Sequence, residues 1–278
     1  MLLNTAAGGS SGSTAWSVAT YQTSKAFHDR AQVRRLSHKR PSHRQLAAEK
    51  QRRSAAFAGS DALASAISGK FVGSQSLQAV PLPRNIDLAP IPAEIEALIE
   101  QSRARIQCFQ DRWDQPQIEQ FVASDYELVY RVLRWIVEQR LMTGNRMLEW
   151  GCGFAVVAAL ASRLGLDVVG IEAEQRLLDQ AQTTLEQFAA PVELVCGNFL
   201  PPGAEALSHR ADFPSLGHQV PCGYQQIGAD LDDFALVFGY PWPGEWTFHE
   251  AVFARYGARG GLLVLFYGPN DVRVWRKG

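Results

Sequence analysis

Two glycines follow a short apolar stretch in the sequence LEWGCGFA, residues 148–155, and an acidic residue, Glu149, stands two places before the first glycine. Glycine between a strand and a helix lets the backbone turn tightly and lets a ligand approach the main chain. A dinucleotide fingerprint needs a small residue at its sixth position, where this chain has Val156. A carboxylate so near the turn suits a positively charged group, such as a sulfonium or an ammonium, better than a phosphate.

Two further stretches place chemistry-bearing residues after apolar runs. VVGIE ends in Glu172, and a carboxylate there can accept hydrogen bonds from both hydroxyls of a ribose, or instead cap the following helix. VCGNF ends in Asn198 and Phe199. The Asn198 oxygen can accept a hydrogen bond from an amine, and Phe199 can stack on a base or pack in the core.

These three stretches together resemble the class I S-adenosylmethionine-dependent methyltransferases, whose first motif is apolar-apolar-(Asp/Glu)-x-Gly-x-Gly-x-Gly. Residues 148–155 match that motif with Ala155 in place of the last glycine, and Asn198 stands where the family usually has Asp. The resemblance covers about residues 146–267 and implies S-adenosylmethionine as the cofactor, with no metal. The residues that it assigns to cofactor binding are Glu149, Gly151, Cys152, Gly153, Glu172, Asn198 and Phe199.

A fourth apolar stretch runs into FGYPWPGEW, residues 238–246, where proline must end the strand. In the family this strand end faces the methyl acceptor, and many amine and amide methyltransferases have Asn/Asp-Pro-Pro-aromatic there. Tyr240 takes the Asn/Asp place, so the polar group that grips a planar nitrogen is absent. We predict that Tyr240 and Trp242 form the acceptor wall and that Glu245 is a base, with His249 a second candidate. Glu245 can instead balance the helix dipole, and His249 can be a surface residue.

Apolar periodicity predicts an alternation of strands and helices. Strands are expected at 147–150, 167–172, 192–197, 234–240 and 261–267, and helices at 154–164, 174–188 and 246–256, with two earlier helices at 93–112 and 126–141. Such an alternation builds a doubly wound α/β fold with ligands beyond the carboxyl ends of its strands. The resemblance implies a mostly parallel Rossmann-like methyltransferase sheet in the order 3-2-1-4-5. One short C-terminal strand at 271–277 is expected to bring it to six strands.

Charge divides the chain into unlike parts. Residues 1–85 carry 12 Lys and Arg against 3 Asp and Glu, whereas residues 86–278 carry 15 against 25. The first part also has few large apolar residues, which predicts a disordered basic tail at 1–85. We expect a helical cap at 86–145 and a methyltransferase-like catalytic domain at 146–278. The tail could contact nucleic acid, although a solvated tail is the favoured interpretation.

Other classes of protein are disfavoured by what the sequence lacks. Its four cysteines form no C-x-x-C pair and its six histidines show no ligand spacing, which disfavours a zinc site or a disulfide scaffold. No apolar run reaches the roughly 18 residues that span a bilayer. The chain is therefore expected to be soluble and cytoplasmic, with no membrane partner. The long segment 198–232 is either a lid or disordered.

The sequence therefore predicts methyl transfer from S-adenosylmethionine to a small-molecule or protein acceptor. A non-catalytic S-adenosylmethionine-binding scaffold or regulator is the first alternative. A nucleic-acid methyltransferase that uses the basic tail is the second.

Overall fold

The computed structural model describes residues 76–116, 118 and 121–278. Residues 1–75 of the predicted basic tail lie outside the described residues, and so does the possible contact of those residues with nucleic acid. Everything that follows concerns the described part of the chain.

The described residues form a seven-stranded sheet that positions the predicted site. The strands are β1 (Leu77–Val80), β2 (Arg146–Trp150), β3 (Asp167–Glu172), β4 (Val192–Cys196), β5 (Leu236–Gly239), β6 (Leu262–Gly268) and β7 (Asp271–Lys277). Their order is β1-β7-β6-β5-β2-β3-β4. The five strands β2 to β6 are parallel, and β7 runs antiparallel beside β6. Numbered from β2, the parallel strands have the order 3-2-1-4-5, so the predicted Rossmann-like methyltransferase sheet is confirmed.

One edge of the sheet corrects the sequence prediction. β1 pairs antiparallel with β7, with Leu77 opposite Lys277 and Val80 opposite Val274. The sheet therefore has seven strands where six were expected, and β1 lies inside the segment predicted to be disordered. The run LQAV is too short to show a strand period, and the partner that holds it lies at the far end of the chain. A pairing between segments so far apart in the sequence cannot be predicted from a local sequence pattern.

Six α-helices of the described residues surround the sheet: α1 (Ala93–Gln110), α2 (Tyr126–Glu138), α3 (Val156–Arg163), α4 (Gln175–Gln187), α5 (Gly223–Ile227) and α6 (Trp246–Tyr256). Asp125 caps the start of α2, since its Oδ1 accepts a hydrogen bond from Leu128 N at 3.1 Å. All helices of the described part are too short or too polar to cross a membrane.

The two faces of the sheet carry separate cores, as a doubly wound fold requires. Met147 of β2 packs into the core that holds α1 to α4, whereas Leu148 and Trp150 pack into the core that holds α6. Alternate residues of a strand point to opposite faces, which explains the division. Glu149 shares the pleat direction of Met147 and lies at the start of α3.

Gly170 in β3 leaves room for the glycine turn that follows β2. A Cβ atom at Gly170 would lie 3.0 Å from Cys152 Sγ and 3.2 Å from Leu194 Cδ2. We expect Gly170→Ala to lower the free energy of unfolding by roughly 1–3 kcal/mol, the usual effect of overpacking a core. Urea denaturation measures this effect. Gly144→Ala is the matched control, because its Cβ would meet Ala235 Cβ at an ordinary 3.6 Å. Equal stability of the two variants would contradict the packing argument.

Candidate functional site

All of the predicted site residues except Asn198 line a cavity of about 130 Å³ at the carboxyl ends of β2, β3 and β5. After β2 the chain winds towards β3 and β4 on one side, and after β4 it crosses to β5 on the other side. This reversal beside β2 is the position at which open α/β sheets bind ligands. Within the described ranges, no group of three His, Cys, Asp or Glu residues could hold a metal ion.

The turn after β2 has the backbone that its glycines predict. Gly151 and Gly153 have φ values of 65° and 56°, in the left-handed region that glycine adopts without strain. Ala155 also has a positive φ, 53°, so it keeps the conformation suited to the glycine it replaces in the family motif. Cys152 N donates to Ile171 O at 3.0 Å and fixes the turn to β3. A Cβ at Gly153 would lie 2.7 Å from the Phe121 ring, so the turn is also closely covered.

Glu172 reaches from the end of β3 to this turn. Its Oε2 accepts a hydrogen bond from Gly153 N at 2.7 Å, and its Oε1 accepts one from Glu174 N at 3.0 Å. A carboxylate offers about four acceptor positions, so two amide donors leave capacity for hydroxyl donors. The chemistry of Glu172 therefore fits the ribose contact that the sequence predicts.

Glu149 lies beneath the same turn and is 4 % exposed. Its Oε2 accepts a hydrogen bond from Ala158 N at 2.8 Å. Ala158 is the third residue of α3, and the cap position, Ala155, has no side-chain acceptor, so Glu149 stabilises the helix start from the neighbouring strand. The sequence prediction of a charge beside the ligand did not anticipate this capping contact.

Burial gives Glu149 and Glu172 unusual electrostatics. Desolvation raises the pKa of Glu149 well above its ordinary range, the Ala158 amide opposes this shift, and the charge of Glu172 adds to it. Desolvation likewise raises the pKa of Glu172, against hydrogen bonds from the amides of Glu174, Gly153 and Ala173. A cationic ligand in the cavity would favour the ionised form of both groups.

Asn198 and Phe199 occupy different positions relative to the cavity. Asn198 is not among the cavity-lining residues, and its Oδ1 accepts a hydrogen bond from Leu200 N at 2.9 Å. Phe199 lines the cavity and stacks on Trp150, with ring centroids 5.5 Å apart. The structure therefore brings Phe199 to the cavity wall and leaves Asn198 behind it.

The end of β5 supplies the opposite wall. Tyr240, Trp242, Glu245 and His249 all line the cavity. Tyr240 packs edge-on against Phe266, with ring centroids 4.6 Å apart. His249 is only 3 % exposed, so its interpretation as a surface residue is wrong. Its ring lies 5.6 Å from Trp150 and 5.5 Å from Phe199 between centroids.

Glu245 connects this wall to the segment 198–232. Its carboxylate is 1 % exposed, and its Oε1 accepts hydrogen bonds from Ser215 N at 3.0 Å and Ser215 Oγ at 3.1 Å. Ser215 lies in a short 3₁₀ helix, Pro214–Leu216. The segment also contains α5, and it lines the cavity through Phe199, Ser215 and His218. Of the two expectations for 198–232, the structure therefore shows an ordered cover.

A second segment, of which residues 113–116, 118 and 121–126 are described, covers the glycine turn through Phe121. Phe121 stacks on Phe154 at 5.2 Å between centroids and lines the cavity. Arg176 in the first turn of α4 holds the segment by donating to Pro116 O at 2.9 Å and to Gln115 Oε1 at 2.6 Å. Trp113, at 85 % exposed, takes no part in the cover.

Sequence reasoning missed Trp150 and Ser215 as site residues. Trp150 is the unspecified residue between Glu149 and Gly151 in the motif, and its Nε1 donates to the Tyr224 hydroxyl at 2.9 Å. The alternation of β2 already placed its ring on the face opposite Glu149, which is the signal that could have found it. Ser215 has no such signal, because its contact with Glu245 joins loops 30 residues apart.

The hydrogen-bond acceptors of the site suit the hydroxyl and cationic groups of S-adenosylmethionine, but the volume of the cavity is small for this cofactor. Ligand pockets usually measure about 300–1,000 Å³, and this one measures about 130 Å³. The Phe121 ring lies against the Gly153 turn and borders this cavity.

Comparison with solved structures finds methyltransferases. A methyltransferase from Geobacter sulfurreducens shows 14 % identity and a TM-score of 0.40 over 69 % of this chain and 93 % of that one. The O-methyltransferase from Bacillus cereus in complex with SAH shows 15 % identity and a TM-score of 0.38 over 64 % and 67 %. Precorrin-6y C5,15-methyltransferase from Geobacter metallireducens shows 22 % identity and a TM-score of 0.33 over 56 % and 69 %.

No protein-family model matches this chain, and no curated protein matches it. At identities under 25 % and TM-scores under 0.5, the structural likenesses carry no argument about activity. Strand order and direction define the fold instead. The resemblance to class I S-adenosylmethionine-dependent methyltransferases holds at the level of this fold.

The raised pKa of Glu149 makes stability depend on pH. An acid whose pKa is higher in the folded protein stabilises the fold below its unfolded pKa, and this contribution is lost as pH rises through the folded value. Glu149→Gln keeps an oxygen that can accept from Ala158 N but removes the charge. We expect the variant to gain stability over the wild type between pH 5 and pH 8, by on the order of 1 kcal/mol. Urea titrations at several pH values test this expectation. A variant that becomes less stable than the wild type as the pH rises would contradict it.

Proposed function

We propose that this protein transfers a methyl group from S-adenosylmethionine to a small-molecule or protein acceptor. The observation that carries the proposal is the hydrogen bond of 2.7 Å between Gly153 N and Glu172 Oε2. It joins the glycine turn after β2 to the acid at the end of β3, in one cavity with Glu149. A turn that admits a ligand to the main chain and an acceptor for ribose hydroxyls thus lie side by side.

Charge supports this cofactor over a phosphate-bearing one. Glu149 and Glu172 are both buried in the cavity wall, and the charge of Glu172 raises the pKa of Glu149 further after desolvation has raised it. S-Adenosylmethionine carries a sulfonium and an ammonium group, which would offset this negative charge, whereas a pyrophosphate would add to it.

We assign cofactor binding to the residues that the family motif selects. Glu172 would accept from the ribose hydroxyls, and Glu149 would shape the turn and supply negative charge. Phe199 would provide an aromatic face for the adenine, whereas Asn198, which does not line the cavity, would hold the loop behind it through its bond from Leu200 N. The backbone of Gly151, Cys152 and Gly153 would border the ligand.

The bound cofactor would supply an electrophilic methyl group for in-line displacement. Tyr240 and Trp242 would hold the acceptor against that group, and aromatic faces attract a sulfonium by roughly 0.5–2 kcal/mol. S-Adenosylmethionine would supply the methyl group and leave as S-adenosylhomocysteine, with the electron pair of the broken S–C bond on sulfur. Glu245 or His249 would take the proton that leaves the acceptor. The Phe121 and Ser215 segments would exclude water.

Calorimetric titration with S-adenosylmethionine tests the cofactor assignment. We expect Glu172→Ala to weaken binding at least tenfold, because the ribose hydroxyls lose a charged acceptor. Glu193→Gln is the matched control, since Glu193 is an exposed residue of β4 away from the cavity. Wild-type protein that does not bind, or Glu172→Ala that binds as tightly as the control, would refute the assignment.

Glu245→Gln tests the proposed base. Glutamine keeps an oxygen for Ser215 N and Oγ but cannot take a proton at neutral pH. If Glu245 is the base, formation of S-adenosylhomocysteine with an accepted substrate should fall about 10²–10⁴-fold while cofactor affinity stays unchanged. His249→Gln is assayed in parallel. Unchanged turnover of the Glu245 variant would exclude the base role, and Glu245 would then serve only as a hydrogen-bond acceptor for Ser215. Cofactor binding with no turnover across a broad acceptor panel would favour the non-catalytic scaffold.

A further inference from the structure

We propose that a second cavity, on the α1 side of Tyr240, is the acceptor pocket, and that it takes a small molecule combining a cationic amine with an apolar body. This inference rests on the proposed methyl transfer and specifies its substrate class. Neither the family motif nor the end of β5 alone indicates such a pocket.

The second cavity adjoins the first and has a volume of about 550 Å³. Ser124 and Tyr240 line both cavities, so these two side chains form the wall between them. Arg103 and Ile106 of α1 and Phe266 of β6 line the far side. A molecule in the larger cavity would therefore reach the proposed methyl group past Tyr240.

Buried Tyr126 links the electrostatics of the two cavities. Desolvation raises its pKa, the charge of Glu149 raises it further, Arg103 lowers it, and Tyr240 raises it. Glu149 lines the first cavity and Arg103 the second, whereas Tyr240 borders both. Tyr126, which lines the first cavity, therefore lies within electrostatic range of Arg103 in the second.

The charges of the second cavity select a cation. Arg103 is held by Glu127 in a two-bond pair, with Nη1 to Oε1 at 2.6 Å and a second bond from Nη2 to Oε2. That pair is neutral, and the cavity is lined by two further carboxylates, Glu100 and Asp125. Asp125 Oδ1 accepts one hydrogen bond, from Leu128 N, which leaves its carboxylate with further acceptor positions. The lining thus holds two acids, Glu100 and Asp125, and one base, Arg103, whose charge is balanced by Glu127 outside the lining, which favours an ammonium group over a carboxylate in the pocket.

The size and apolar lining select a small molecule. A volume near 550 Å³ falls within the range of about 300–1,000 Å³ that holds small ligands. Ile106, Phe266 and Pro269 supply apolar surface, and Tyr240 stands perpendicular to Phe266. A folded protein is too large to enter such a pocket. The phosphates of a duplex nucleic acid would be repelled by the acidic side chains of the pocket.

Three probes that share a phenyl group test the proposal by calorimetry with saturating S-adenosylhomocysteine. 2-Phenylethylamine carries the cation, 3-phenylpropionate the opposite charge and 2-phenylethanol no charge. We expect the amine to bind at least tenfold more tightly than the carboxylate. The double variant Glu100→Gln/Asp125→Asn should weaken amine binding at least fivefold, without changing the affinity for the alcohol or for S-adenosylhomocysteine.

The chosen variants separate the effect of losing negative charge from the effect of losing folded structure. Asparagine is as good a helix cap as aspartate, so Asp125→Asn preserves the start of α2. Glu96→Gln is the matched control, because Glu96 is an exposed acid of α1 that does not line the cavity. Absence of amine binding, equal or tighter binding of the carboxylate, or an unchanged amine affinity in the double variant would overturn the proposal. A wild-type protein that binds neither S-adenosylmethionine nor S-adenosylhomocysteine would instead refute the proposed function, and the amine titration would be repeated without either.

Discussion

The burial of two carboxylates at the carboxyl ends of adjacent parallel strands is the constraint on which this structure depends. Removing such groups from water is costly unless hydrogen-bond donors meet them. Glu149 is met by the Ala158 amide at the start of α3, and Glu172 by the amides of Gly153 and Glu174. The helix start, the glycine turn and the start of α4 are therefore held in place by the same two side chains that border the cavity.

The burial of these two carboxylates explains why the residues around them are small or have a left-handed backbone. The turn can bring its amide to Glu172 only with a left-handed backbone, which Gly153 adopts freely and which Ala155 adopts nearby. Gly170 keeps β3 close enough for Cys152 to pack against it. The stabilising contacts consist largely of main-chain amides, so the two carboxyl groups are already fixed in position when a cation enters the cavity and favours their ionised form. A preformed site of this kind lowers the cost of ordering on binding.

The parts of the fold that local patterns determine were predictable. The bounds of β3 follow from its run of apolar residues, and those of α6 and β7 also from the glycines that come directly after them. β1 was missed because its strand character comes from pairing with β7 across the length of the chain. The motif identified Glu149 and Glu172 by position, but not their amide partners, and the buried location of His249 depends on the packing of Phe199 and Trp150 around it. Loop-to-loop contacts such as that of Glu245 with Ser215 have no local pattern from which to infer them.

The central claim is that this cavity holds S-adenosylmethionine with its methyl group directed at the end of β5. The most direct measurement is a nuclear Overhauser experiment on the full chain with cofactor labelled with ¹³C at the methyl carbon. We expect cross-peaks from that methyl group to ring protons of Tyr240 or Trp242. We expect these cross-peaks to be lost in Glu172→Ala. A methyl resonance that stays at its free position at saturating protein, or cross-peaks to neither ring, would contradict it.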